Sequence, residues 1–288
     1  MIQDPDTPGV PHERLFRLPA VKRARGFYFY APDGTRYLDL WQNNGLAYRG
    51  HSPAGFTQAI KNRISTKLFG PLPNSLFLRL TKGLTAFYPE YEPRIFPSQE
   101  AAVLGLQSIG ITLDDYAFSR WQPTATPENQ EIAFHRPDTP TPGTGLILPI
   151  LPQLAGYFGQ ILMVRKQHPL LKAISSPGAS PIQIEAMLLG LALFSPEIKP
   201  EAKHRPRGQN RDRSQVPPPE SLHTPGFHRS GRYLIPRLDQ GQYFAWYKAA
   251  RAQKFVFNPY WGGVSILPAH ASKGEWDRLK ALFQEVPA

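Results

Sequence analysis

The sequence contains no cysteine. That excludes disulfides, thiolate nucleophiles, iron–sulfur clusters and zinc sites built on sulfur, and it suits a reducing compartment, so a cytoplasmic location is the expectation. The eight histidines are scattered. His223 and His228 stand five apart in a Pro/Gly segment with no other imidazole nearby, so no metal site is expected. A Walker loop and a dinucleotide fingerprint are both missing. The run Gly50-His51-Ser52-Pro53-Ala54-Gly55 falls short of a nucleophile elbow, because that pattern needs glycine where Ala54 stands. No charged-then-apolar leader opens the chain, and no uninterrupted hydrophobic run is long enough to cross a membrane. The stretch Gly145–Val164 comes nearest, but Pro149 and Pro152 break it and Gln153 and Gln160 interrupt it. It predicts a buried strand followed by a second buried element. Lysine, too, is missing from Gly83 to Arg165.

What is present describes a folded globular chain. Its 288 residues are 41% hydrophobic and 12% aromatic, enough for about two compact domains at roughly 100–200 residues each. Thirty-two prolines predict many irregular connections. The net charge is +11, which speaks of solubility and anionic partners rather than of fold. Between Pro196 and Arg232 eight basic residues face four acids, so this one segment carries +4 and the remainder +7. Its run KPEAKHRPRGQNRDR suits loose phosphate contact but lacks aromatics that stack on bases, and a solvated flexible insert over 196–230 is the expectation.

The pattern then gives elements. Phe27–Tyr30 and Tyr37–Leu40 flank Asp33-Gly34, a hairpin signal. A helix over about 54–67 places Phe56, Ile60 and Ile64 on one inward face. A second begins at Asn74 or Ser75, turns Leu76, Leu80, Leu84 and Phe87 inward and stops before Pro89. RIFPS reads as a strand, with Ser98 capping a helix from Gln99 that carries Ala101, Ala102, Leu104 and Leu106. Short β-like runs follow: YAFSRW, EIAFH and LILPIL. Ser180-Pro181 opens another helix, with Ile184, Met187, Leu188, Leu191 and Phe194 as its stripe. The C-terminal part offers a strand RYLIP, a helix GQYFAWYKAARAQ with aromatics inward, a strand–turn–strand FVFNPYWGGVSILPAH, and a helix announced by the capping box Ser272/Glu275.

Four of these passages, in this order, resemble class III aminotransferases, the fold-type I pyridoxal-phosphate (PLP) enzymes that include glutamate-1-semialdehyde aminomutases. They are the opening hairpin with DGTRYLDL and Gly50-His51, LTKGLTAFYPEYEPRIFPSQEAAVLGL, the helix in SSPGASPIQIEAMLLGL, and the C-terminal GRYLIP to LKALF. The resemblance implies an α/β fold: a reduced large domain plus an α+β small domain made by both chain ends. The expected segments are 1–50 (hairpin of the small domain), 51–195 (reduced large domain), 196–230 (insert) and 231–288 (C-terminal small domain). It also implies a homodimer, or a hetero-oligomer with another aminotransferase-fold chain, with Trp41–Gly50 resembling the interface loop. Neither membrane nor nucleic acid is an expected partner.

PLP chemistry needs a lysine amine to hold the cofactor, an acid against the pyridine nitrogen and free backbone amides around the phosphate. Here the phosphate-loop glycine of the family is absent. Pro97-Ser98-Gln99 occupies its place, so Ser98 and Gln99 form at most a degenerate phosphate site. Asp114, Asp115, Glu128, Glu131 and Asp138 are the acids between Ala101 and Lys166, and none ends an apolar strand as the family's acid does. Ile150, Leu151 or Gln153 stands where the amine should be, and only Lys166 and Lys172 lie just beyond. Several strands of the large domain's parallel sheet are missing. The expectation is therefore a non-catalytic scaffold or partner-binding subunit with no cofactor. The alternatives are a PLP enzyme using Lys166 or Lys172, and a nucleic-acid-associated protein acting through the insert.

Overall fold

The computed structural model describes residues 18–51, 53, 55–71, 74–113, 132–137, 139–152, 159–194 and 215–286. In chain order it has β1 (Arg23–Arg25), β2 (Tyr28–Tyr30), β3 (Arg36–Asp39), α1 (Phe56–Ser65), α2 (Ser75–Phe87), β4 (Tyr91–Phe96) and α3 (Gln99–Gln107). Then come β5 (Ile132–His135), β6 (Leu146–Pro149), β7 (Gln160–Arg165), a 3-10 turn (Pro169–Leu171) and α4 (Pro181–Ala192). The last part has β8 (Gln215–Val216), β9 (Phe227–Ser230), β10 (Tyr233–Pro236), α5 (Gln240–Ala252), β11 (Phe255–Val256), β12 (Ser265–Ile266), β13 (Ala271–Ser272) and α6 (Lys273–Gln284). The chain divides into two compact units, residues 45–209 and residues 1–44 with 210–288. Among the described residues no helix is long and apolar enough to cross a membrane.

The first unit is a three-layer α/β sandwich. Its sheet has the order β4-β7-β6-β5, with β5 and β6 parallel and the other neighbours antiparallel. Alternation in β7 sends Ile161 and Met163 to one face, against α2 and α4, and Leu162 and Val164 to the other, against α3 and the 3-10 turn. Both faces are covered, so QILMV reads as one apolar run rather than an alternating one. The expected buried pair of elements over Gly145–Val164 is thus β6 and β7. Pro93 lies in β4, at the end of the strand order, where a missing N–H is tolerated. The caps are where the sequence signals put them. Asn74 accepts from the Leu76 and Phe77 amides. Ser180 and Gln183 complete a capping box behind Pro181. Helix α4 buries residues all round, and Gly190 lets it approach β6 closely, because a Cβ there would run into the Pro152 carbonyl.

Two expectations fail in this unit. The α1 stripe is not inward along its length: Phe56 is buried, Ile60 only half so, and Ile64 is 46% exposed. Leu104 of α3 also faces out. YAFSRW lies outside the described residues.

The second unit is made by both chain ends. The hairpin β2–β3 turns through Asp33-Gly34, where the Asp33 carboxylate accepts from the Thr35 amide at 2.8 Å and hydroxyl at 3.0 Å. β1 pairs with β2, and β3 pairs in parallel with β11 from the far end of the sequence. Behind this sheet Phe227, Tyr243, Trp246, Phe257 and Phe283 pack ring against ring, with Trp246 and Phe257 centroids 4.5 Å apart. Residues 215–230, expected as part of a flexible insert, are instead ordered. Leu222 and Phe227 are buried, and Arg229 Nη1 donates to the carbonyls of Pro219, Glu220 and Leu222 at 3.1, 3.2 and 3.2 Å. Proline hides this order from any periodicity, since the loop is held by side-chain donation and burial.

Glu275 closes the unit. It completes the capping box with Ser272 and also reaches β2 and β3: Tyr28 donates to Oε2 at 2.9 Å and Arg36 Nη2 to Oε1 at 2.9 Å. Burial pushes this carboxyl up, but donation from Ser272 and Tyr28 and the Arg36 charge outweigh it and hold it below its ordinary 4.5. A lowered carboxylate stabilises the fold above its unfolded value, and that stability is lost as pH falls below about 4.5 through the folded value. Glu275→Ala should lower the unfolding free energy at neutral pH by about 2–3 kcal/mol, because it strands buried donors. Glu275→Gln should flatten the loss of stability on acidification. Urea unfolding at pH 7 and at a series of lower values measures both.

Candidate functional site

Strand β4 ends at buried Phe96 and delivers Pro97, Ser98 and Gln99 to the start of α3. Ser98 adopts extended backbone, as an N-cap does, and its Oγ accepts from the Ala101 amide at 3.1 Å. Gln99, half-buried, is the first helical residue. The carboxylate of Glu100 accepts from its own backbone N–H and from the Ser98 hydroxyl, and these bonds hold it below its ordinary value. A ligand phosphate here would need free amides and a helix end without a resident anion. Pro97 has no N–H, Ala101 N–H is used, and Glu100 supplies the negative charge itself.

Helix α4 approaches this turn. Gln183 Nε2 donates to the Pro97 carbonyl at 2.6 Å. At the start of β7, a Cβ on Gly159 would run into Met187 Cε and the Phe96 carbonyl. Met187 of α4 therefore packs against Gly159 beside the end of β4.

The candidate lysines are elsewhere. β4 and β7 run antiparallel with Phe96 opposite Gln160 and Tyr91 opposite Arg165. Lys166 follows Arg165, its amide bonded to the Glu90 carbonyl at 2.9 Å. Five steps along the strands, at about 3.4 Å each, put Lys166 about 17 Å from the Ser98 end. Lys172 follows the 3-10 turn, which Arg94 fixes by donating to the Leu171 and Ile174 carbonyls at 2.8 and 3.1 Å. Both lysine side chains are exposed. Asp114, Asp115, Glu128, Glu131, Asp138 and Gln153 lie outside the described residues, as do 196–214 of the basic insert. Among the described residues no group of three or more His, Asp or Glu side chains could hold a metal. His228 Nδ1 accepts instead from Arg237 at 3.3 Å.

Three buried polar features escape the sequence patterns. Tyr88 and His135 are joined at 2.9 Å, and His135 Nε2 lies 3.0 Å from the carbonyls of both Thr139 and Pro140. Two acceptors at Nε2 put the proton there, so Nδ1 accepts from the Tyr88 hydroxyl. Arg136 is fully buried, with its guanidinium 4.2 Å from the Tyr48 ring centre and 5.4 Å from that of Phe194. Third, Gln42, Asn43, Asn44 and Gly45 have φ of 49, 48, 55 and 88°, one turn of left-handed backbone. Asp39 Oδ1 accepts from the Trp41 and Gln42 amides at 2.9 Å each, while Asn44 Oδ1 accepts from Trp41 Nε1 at 3.0 Å and from Asn258 Nδ2 at 3.1 Å. Only the two asparagines and the glycine hint at this conformation in the sequence.

No family model matches the chain. An uncharacterised protein of Treponema pallidum is 24% identical over 282 residues, 89% of this chain and 91% of that one. Solved aminotransferases are similar in fold. An ornithine aminotransferase of Plasmodium yoelii matches with a TM-score of 0.58 at 11% identity, over 98% of this chain and 94% of that one. A transaminase with PLP bound matches at 0.61 and 10% identity, over 93% and 90%. The chain has the class III aminotransferase fold. The matches run nearly end to end in both chains. At the helix end that corresponds to that fold's phosphate site this chain has the Ser98 cap and the Glu100 carboxylate, and Lys166 follows β7 at the opposite end of that strand.

The left-handed turn predicts a measurable contrast. Asn44→Ala and Asn44→Gly lose the same two hydrogen bonds, but alanine should cost about 1–2 kcal/mol more, because only glycine relieves the backbone. Chemical denaturation of the two variants checks it.

Proposed function

We propose that this protein is a non-catalytic member of the aminotransferase fold that works as a scaffold or partner-binding subunit and takes no cofactor. One observation carries the reading. The start of α3, where aminotransferase chemistry would anchor PLP, is satisfied by the chain's own Pro97, Ser98 and Glu100. An anion brought there would meet a carboxylate in place and compete for amides that Ser98 and Glu100 already use, so binding would cost both charge repulsion and lost capping. Fold alone does not imply the chemistry found on it elsewhere. The exposed side chains of Lys166 and Lys172 add weight, since neither amine lies in a pocket that could enclose a cofactor ring.

The reading is tested by titrating the purified protein with PLP and recording the visible spectrum before and after borohydride. No saturable, borohydride-reducible band is expected, and Lys166→Ala and Lys172→Ala should give spectra identical to the parent. A saturable band lost in either variant would mean a working lysine and would reject the proposal.

A further inference from the structure

We propose that the β1–β3 face of the terminal unit is a binding site for a phosphate monoester, carried by a small molecule or by a phosphorylated side chain of a partner. Cross-strand register builds it. Arg23 stands opposite Tyr30, and Tyr30 opposite Arg36, so the three form one row across β1, β2 and β3. Arg25, two residues along β1 from Arg23, stands opposite Tyr28 on the same face. Strands lie about 4.8 Å apart and residues about 3.4 Å apart along a strand, which puts the Cα atoms of the three arginines within about 12 Å of one another.

The rings hold the cations in place. The Arg23 guanidinium lies 4.4 Å from the Tyr30 ring centre, and that of Arg36 lies 4.6 Å from the Tyr28 ring centre. Tyr28 is part of the unit's core and Tyr30 packs against it. Each ring is therefore fixed from behind, and a guanidinium stacked on it loses little freedom on meeting a ligand. Glu275 Oε1 also accepts from Arg36 at 2.9 Å, yet the Arg36 side chain stays 51% exposed. Arg23 and Arg25 are exposed, and among the described residues neither is in an ion pair.

Charge and shape select the ligand. Three guanidiniums and the one carboxylate among them, Glu275, leave two positive charges on this face. The Asp33 carboxylate in the β2–β3 turn is bonded to Thr35 and answered by the Lys254 charge. A phosphate monoester brings nearly two negative charges and three acceptor oxygens, enough for two guanidinium forks at once. A carboxylate brings about half that charge. A nucleic-acid strand fits less well, because it needs cations that track successive phosphates and aromatic faces free for its bases. Here the cations form one compact group, and each tyrosine ring has a guanidinium on one side and the core on the other.

The test uses the full chain and a fluorescein-labelled Gly/Ser peptide carrying one phosphoserine, followed by fluorescence anisotropy. Saturable binding is expected, at least about tenfold tighter than that of the unphosphorylated peptide. Arg23→Gln and Arg25→Gln should each weaken it about fivefold or more. Arg23→Lys should weaken it too, because an ammonium keeps the charge and loses the fork. Lys82→Gln, which removes the same charge from the exposed surface of the α/β unit, should leave it unchanged. The altered side chains are exposed, and unchanged circular dichroism confirms folding. Unlabelled glycerol phosphate competing as well as unlabelled phosphopeptide supports the site with a small ester as its ligand. Competition weaker by about tenfold or more supports it with a phosphorylated partner. The proposal is overturned if the phosphopeptide shows no saturable binding, or if the Gln variants at 23 and 25 bind it as the parent does. It is equally overturned if Lys82→Gln weakens binding as much as they do, or if single-stranded RNA binds more tightly than the phosphopeptide. The PLP titration above reads an imine on a lysine rather than a bound phosphate, so either proposal can fail alone.

Discussion

The antiparallel register of β4 against β7 governs what the α/β unit can do. Phe96 opposite Gln160 ties the start of α3 to the start of β7, and Tyr91 opposite Arg165 puts Lys166, which follows directly, at the other end of the two strands. Packing on both faces of these strands holds the register, because a slip by one residue would exchange Ile161 and Met163 with Leu162 and Val164 and set each against the wrong layer. No rotation of a side chain can therefore bring Lys166 to Ser98. The distance is a property of strand direction, and strand direction is a property of the core.

The same constraint explains which parts of the structure were legible in the sequence. Helix starts were readable because caps are local: Asn74, Ser98, Ser180 and Ser272 each bond amides two or three residues on. The strands were readable as apolar runs, though not their partners. Order over 215–230 was not readable, because Arg229 and the burial of Phe227 organise a segment whose own pattern is aperiodic. Tyr88 with His135 and Arg136 with Tyr48 join residues 47 and 88 positions apart, and nothing near either member announces the other. At the Ser98 turn the loss of glycine was visible. The reason the turn no longer needs it was not, since that depends on where the Glu100 carboxylate points.

The terminal unit owes its integrity to forces that no cofactor supplies. Its aromatic cluster and the parallel pairing of β3 with β11 bring the two chain ends together, and Glu275 adds charge-assisted bonds to Tyr28 and Arg36 across 247 and 239 positions. Donors to a buried carboxylate contribute more than neutral pairs do, and removing one leaves the others facing an unbalanced charge. The left-handed turn at 42–45 is carried by this unit as well, through Asp39 and Asn258. Strain of this kind persists only where surrounding bonds over-determine it.

Two local choices in the α/β unit run in opposite directions. At the start of α3 the sequence takes what a helix end prefers: a serine cap and a carboxylate in the first turn, preceded by a proline that cannot donate. On α1 and the following connection it does the reverse, keeping Ile64, Leu68 and Phe69 in water, which costs free energy for as long as nothing covers them. Periodicity alone identifies the residues that share a face of α1. Only the structure shows that the stripe is buried at Phe56, half-buried at Ile60 and exposed at Ile64.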